Sequence, residues 1–278
     1  MLTSPPRLDF WRHLLSPRTV LVVDVGAMAL PAPESYQLLL EHDLAEVVAF
    51  EPNPAGCAEL NAGSPRRRCL PWAIGDGRPR QFHLNAVAYT SSFYPANLEL
   101  LASFGYADSF RTLQIAQIET RRLDDIAEIR DCDLLKIDVQ GAELDVLSGA
   151  HELLAGVTVV QTELAFVPLY LGQPLFGAVD LALRRQGFLL HRIDTSLRAS
   201  WLVERLPQHK SQLLWSDVVY LRNPTRLSGF TPQKLLNMAL ILDLCYDSAD
   251  AAARVLQVYD RLTGKDLLPD FLQQVRMS

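Results

Sequence analysis

Residues 133–148 read DLLKIDVQGAELDVLS, and the fold follows from this stretch. Leu134 to Ile137 is a short apolar run, Gly141 supplies a turn, and the apolar spacing from Glu143 onward is helical, which together predict a strand, a tight turn and an amphipathic helix. The same unit recurs on either side. TVLVVDVG (19–26) and EVVAFEP (46–52) are further short apolar runs, with ESYQLLLEHDL (34–44) helical between them and PAGCAELNAG (54–63) a short helix ending on Gly63. A third strand is expected around Cys69 to Ala73, and VTVVQTEL (157–164) reads as a fifth. FGAVDLALRRQ (176–186) is a helix that stops at Gly187, where a left-handed residue is expected, and GFLLHRI and LLWSDVVYLR close the pattern as two more strands. Strands without polar alternation need cover on both faces, so the expected fold is α/β with a largely parallel sheet between helical layers.

The expected organisation is an N-terminal segment (1–18), a Rossmann-like domain (19–224) with a β-rich insertion at about 75–120, and a C-terminal helical extension (225–278). The extension has too few apolar residues for a core of its own, so it is expected to pack on the α/β unit. In 278 residues, 26 Lys and Arg face 32 Asp and Glu, a net charge of -6, which argues against nucleic acid as a partner. No stretch has the length or continuity of an export signal or a membrane span, and the four cysteines have neither redox nor zinc spacing. These features favour a cytoplasmic protein with a small-molecule partner and no membrane association; a homodimer is one role open to the C-terminal helices.

A strand ending Asp24-Val25-Gly26-Ala27, followed by one ending Phe50-Glu51-Pro52-Asn53, is how open α/β sheets hold nucleotide-like ligands. Glycine lets the backbone approach the ligand, and an acid 20 to 30 residues on accepts from ribose hydroxyls. Nicotinamide and S-adenosylmethionine enzymes share this logic, but after Gly26 the chain reads AMALPAP, without the dinucleotide fingerprint. Lys136 stands in a buried strand and needs a partner, either a structural Asp or Glu or a ligand. His191 lies in an apolar strand pattern, where a structural role and a catalytic base are both open.

DVGA, FEP, the TRRLDD of Thr120 to Asp125, LLKIDVQGAELDVLSGA and TELAFVPLYLGQPLF together resemble the FkbM family of S-adenosylmethionine-dependent methyltransferases, over about Val20 to Arg222. The resemblance implies the seven-stranded class I methyltransferase sheet and O-methylation of a hydroxyl on a small molecule, a glycan or a secondary metabolite. It places Asp24, Gly26 and Ala27 by the methionine part of the cofactor and Glu51 on the ribose. Asn53 and the turn from Trp72 through Ala73 to Asp76 fall near the adenine. Asp138 is the expected base and a further cofactor contact, with Lys136 and Glu163 as catalytic partners. Tyr170, Gln173 and Phe176 are expected to wall the acceptor pocket, and Tyr89, Ser91, Ser92, Phe93 and Tyr94 to form a lid. No metal ligand is assigned, the alternative being a Mg²⁺ held by Asp138, Glu163 and Gln140. Met28 stands where the family has Asn, and Leu30, Pro31 and Pro33 fill its Gly-rich turn, which leaves a catalytically degenerate partner-binding module as the alternative function.

Overall fold

The computed structural model describes residues 5–15, 19–29, 32–196 and 198–277. Its elements in chain order are α1 (Pro5–Leu15), β1 (Val20–Val25), α2 (Gln37–Glu41), β2 (Ala45–Phe50), α3 (Pro54–Gly63), β3 (Arg67–Leu70) and β4 (Ala73–Ile74). The middle section holds β5 (Arg80–Asn85), α4 (Leu98–Ala102), β6 (Thr112–Ile118) and β7 (Thr120–Arg121). The chain continues through β8 (Leu134–Ile137), α5 (Glu143–Ser148), α6 (His151–Gly156), β9 (Val159–Ala165), α7 (Phe176–Arg185), β10 (Phe188–Ile193) and β11 (Trp215–Arg222). It ends with α8 (Pro232–Leu240), α9 (Ala249–Thr263) and α10 (Leu268–Met277).

Seven strands form one sheet in the order β10-β11-β9-β8-β1-β2-β3. The run β3-β2-β1-β8-β9 is parallel and β11 pairs antiparallel with both neighbours. This is the class I methyltransferase sheet, with the β10–β11 pair closing it as expected. Local chemistry fixes the helix ends: Asn53 Oδ1 accepts from the Ala55 N–H at 3.0 Å ahead of Pro54, and Gly187 after α7 is left-handed at φ 86°.

The helix expected after Gly141 is broken in two at Gly149. A Cβ there would lie 2.3 Å from the Gly75 carbonyl oxygen, because the backbone of the middle section passes against the helix at that point. That section holds an antiparallel β5–β6 pair and the small parallel β4–β7 pair.

The two faces of the sheet are covered differently. Val23, Val25, Leu135 and Ile137 pack under α5, α6 and α7 with Val146, Leu154 and Val179. Val20, Val22, Leu134 and Val219, on the opposite face, share one core with Trp11 of α1 and with Leu235, Met238, Leu242, Val255 and Leu256. The C-terminal helices, expected as an extension, are therefore this face's covering layer. A π-helical turn, Ile241–Cys245, joins α8 to the residues before α9. Its buried Asp243 pairs with Arg7 and accepts from Trp11 Nε1 at 2.7 Å, which ties α1 to the same layer. Among the described residues no helix is long and apolar enough to cross a membrane.

Candidate active site

β1, β2, β8 and β9 all point their carboxyl ends at one rim, where open α/β sheets bind ligands. A cavity of about 800 Å³ opens there. Gly26 forms part of its floor at φ 81°, and a Cβ on it would lie 1.9 Å from the Asp138 carbonyl oxygen, so only glycine fits between β1 and β8. Glu51 and Asn53 line the wall beyond β2. Glu51 Oε1 accepts from the Asn53 N–H at 2.7 Å, which leaves Oε2 free of hydrogen bonds among the described residues, and burial holds this carboxyl above its usual range. Phe50, Trp72, Ala73 and Ile74 make an apolar flank, with Phe50 and Trp72 stacked at 6.3 Å and the Arg121 guanidinium 3.9 Å over the Trp72 ring.

Asp138 and Glu163 meet at the centre. They sit opposite each other because β8 and β9 run in parallel register, Ile137 beside Thr162. The Gln140 amide bridges them, its Nε2 donating to Asp138 Oδ1 and Glu163 Oε1 at 2.8 Å each. Burial raises both carboxyls. Lys136 partly offsets this at Asp138, whereas the nearby Asp138 charge drives Glu163 up further, so Asp138 is the more readily ionised of the two.

Lys136 finds its partners in the protein: Nζ lies 3.1 Å from Asp24 Oδ1 and 3.2 Å from Glu34 Oε2. The first pair is a cross-strand neighbour, since Asp24 and Lys136 are in register on β1 and β8. Tyr36 donates to the second Asp24 oxygen at 2.5 Å. Lys136 and Glu34 still line the cavity, but Asp24 is fully buried behind it.

The structure does not bring every expected residue to the cavity. Asp24 and Ala27 lie in the interior, the latter donating its N–H to the Phe50 carbonyl, so neither reaches a ligand with its side chain. Asp76 folds back to accept from the Arg78 N–H and is off the wall, while Ile74 from the same turn is on it. Tyr170 and Gln173 are corrected from acceptor wall to interior support: the Tyr170 N–H donates to Gln173 Oε1 at 2.6 Å and the Tyr170 hydroxyl to the Thr90 carbonyl at 2.8 Å. Phe176 stacks on Phe166 away from the cavity. His191 contacts Ser248 Oγ at 2.9 Å, below the C-terminal helices.

The missing wall comes from the insertion. Phe82, Leu84, Asn85, Ala88 and Ile118 line the cavity together with Tyr89, Ser91 and Phe93 of the expected lid. Ser92 and Tyr94 of that lid turn inward instead; Ser92 Oγ donates to the Gln140 carbonyl at 2.5 Å and Tyr94 lies 3.4 Å from Asp145. The signal was present in the β5 alternation, where Phe82 and Leu84 share a strand face. Met28 lines the cavity, which remains open beside it; Leu30 and Pro31 lie outside the described residues.

Glu143 opens α5 with Oε1 accepting from the Gly141 N–H at 3.0 Å and the Val139 N–H at 3.3 Å. It braces the turn that carries Gln140. Burial pushes this carboxyl up to about 7.

A family model described as the methyltransferase FkbM domain matches residues 24–190 of this chain. The 2-O-methyltransferase NoeI of Sinorhizobium fredii is 29% identical over 179 residues, covering 60% of this chain and 73% of that protein. Among solved structures, a TehB-like SAM-dependent methyltransferase from Corynebacterium glutamicum is similar at 12% identity and a TM-score of 0.36, over 78% of this chain and 88% of that one. The 1,6-didemethyltoxoflavin-N1-methyltransferase of Burkholderia thailandensis is similar at 13% identity and a TM-score of 0.37, over 80% and 78%.

Proposed function

Because this chain belongs to the FkbM family of S-adenosylmethionine-dependent methyltransferases, we propose that it transfers the methyl group to a hydroxyl oxygen of a small-molecule acceptor, with Asp138 as the base. The observation that carries this reading is the bridged Asp138–Glu163 pair facing the same cavity as Gly26 and Glu51. The relative that methylates a 2-oxygen supports oxygen as the acceptor atom.

The residues present fit the cofactor. Gly26, where only glycine fits against β8, brings bare backbone to the cavity floor, Glu51 keeps one carboxylate oxygen free for ribose hydroxyls, and Phe50, Trp72 and Ile74 offer an apolar flank to a purine. When bound, S-adenosylmethionine supplies a methyl group activated by a sulfonium charge. The anionic charge of the Asp138–Glu163 pair suits that cation in a buried site.

Asp138 then handles the proton. Its carboxylate is placed to accept the acceptor's hydroxyl proton as that O–H bond breaks, and the oxygen would take the methyl group as the methyl–sulfur bond breaks and S-adenosylhomocysteine leaves. Lys136 counteracts burial at Asp138 while the Asp138 charge adds to burial at Glu163, which makes Asp138 the member of the pair suited to act as base. Lys136 is held back by Asp24 and Glu34, so it tunes Asp138 through space and is unsuited to taking a proton itself. Gln140 turns its hydrogens toward both carboxylates, the opposite of a cation's ligand set, which favours proton chemistry over a bridging metal. The open cavity beside Met28 favours the catalytic reading over the degenerate one.

Asp138→Asn tests the assignment. With methyl-labelled S-adenosylmethionine and an acceptor drawn from a panel of hydroxylated small molecules, transfer is expected to fall by about 100-fold or more, with S-adenosylhomocysteine affinity nearly unchanged. Undiminished transfer would remove Asp138 as base.

A further inference from the structure

Gln140 adopts a left-handed backbone, φ 54°, and Gly141 after it has φ 101°. A non-glycine residue keeps such a conformation only where its surroundings hold it. Three elements do so here. Ser92 donates to the Gln140 carbonyl, Glu143 accepts from the amides on either side of Gln140, and the Tyr170 hydroxyl lies 3.1 Å from Gln140 Oε1. Tyr170 is itself fixed, its N–H bound to Gln173 and its ring against Phe110 at 5.6 Å. Gly141 passes so close that a Cβ on it would lie 3.4 Å from Tyr170 Cδ2 and 3.3 Å from Gln173 Cβ.

We infer that Tyr170 is a positioning residue for methyl transfer: its hydroxyl holds the Gln140 amide with its NH₂ group on Asp138 and Glu163, and ties that turn to the lid at Thr90. This rests on the reading of the pair as the transfer centre. The single Tyr170 hydrogen is shared between the Thr90 carbonyl and Gln140 Oε1, while ionised carboxylates only accept and so draw the NH₂ end; together they hold the Gln140 amide at both ends. In that orientation each carboxylate receives an N–H, which favours its anionic form. Without the hydroxyl the oxygen end of the amide loses its anchor, its N–H contacts to the carboxylates loosen, and the pair becomes harder to ionise. The other charged groups facing the pair are Lys136, Asp24 and Glu34 on one side, Asp217 of β11 and Glu143 of α5 on the other.

The test needs no acceptor. S-adenosylmethionine carries a sulfonium charge that S-adenosylhomocysteine lacks, so the ratio of their affinities reads the negative charge on the pair, and its pH dependence reads the pair's titration. Both ligands are titrated calorimetrically from pH 5.5 to 9 into the wild type, Tyr170→Phe, Gln140→Leu and the double variant. The wild-type preference for S-adenosylmethionine is expected to fade as pH drops. In Tyr170→Phe the midpoint is expected to rise by about one pH unit while S-adenosylhomocysteine affinity stays within about threefold. Gln140→Leu should shift it in the same direction, and the double variant no further than Gln140→Leu alone, since Tyr170 then has nothing to act through. An unmoved midpoint in Tyr170→Phe, or shifts that add in the double variant, would overturn the inference. Should Tyr170→Phe lose its fold, Gln140→Leu decides: a wild-type midpoint there would overturn it equally. Failure of the wild type to bind either ligand would instead sink the functional reading, and this inference with it.

Discussion

A Cβ placed on Gly26 would sit 1.9 Å from the carbonyl oxygen of Asp138, so the tips of β1 and β8 touch at the point where the cofactor floor meets the base. The contact is backbone to backbone and cannot be relieved by a rotamer change. Gly26→Ala, also strained by φ 81°, is expected to lower S-adenosylhomocysteine affinity at least tenfold and to reduce the melting temperature. Calorimetry and thermal unfolding of the same preparation check both effects.

Lys136 neutralises two acids at once, and removing it leaves both Asp24 and Glu34 in the interior without their cation. Lys136→Met is expected to cost about 3–5 kcal/mol in urea unfolding, the range for breaking a buried pair from one side. A cost under about 1 kcal/mol would mean that these charges are better solvated than their burial implies.

The Glu143 carboxyl titrates near 7 in the folded chain against an ordinary value of 4.5. The folded state thus binds the extra proton, and Glu143's contribution to stability is complete below about pH 4.5 and is lost as pH rises through about 7. The loss amounts to about 3 kcal/mol at full ionisation, an order-of-magnitude figure from the shift. Denaturant unfolding between pH 5 and 8.5 should therefore weaken with pH, and Glu143→Gln, which keeps an acceptor for the Gly141 and Val139 amides, should flatten the slope.

Leu235, Met238, Leu242, Val255 and Leu256 cover one face of the sheet. A chain ending at residue 224 is therefore expected to lose its cooperative thermal transition and bind a hydrophobic dye. A soluble, cooperatively folding truncation would contradict the role of residues 225–278 as part of the core.

The sheet was legible because its strands are uninterrupted apolar runs: LVVDV, VVAF and LLKI permit little else once helices alternate with them. Lys136 announced a buried ion pair for the same reason, though nothing in the pattern identified Glu34 as its second partner. The acceptor-side wall was harder to read. Tyr170 and Gln173 follow β9 in a loop with no repeat, so periodicity could not say that one hydroxyl and one amide turn inward to support Gln140. The roles of the C-terminal helices were hidden differently. Their apolar residues are too few for a separate core, but the sheet face that they cover is assembled from strands spread from β1 to β11, a relation set by topology.

The most direct test is a calorimetric titration of the purified protein with S-adenosylhomocysteine, beside the same titration of Glu51→Ala. Saturable binding in the micromolar range, weakened at least tenfold in Glu51→Ala with the melting temperature of the free protein unchanged, is the expected result. No binding by the wild type, or equal binding by both proteins, would contradict the placement of the cofactor between Gly26 and Glu51.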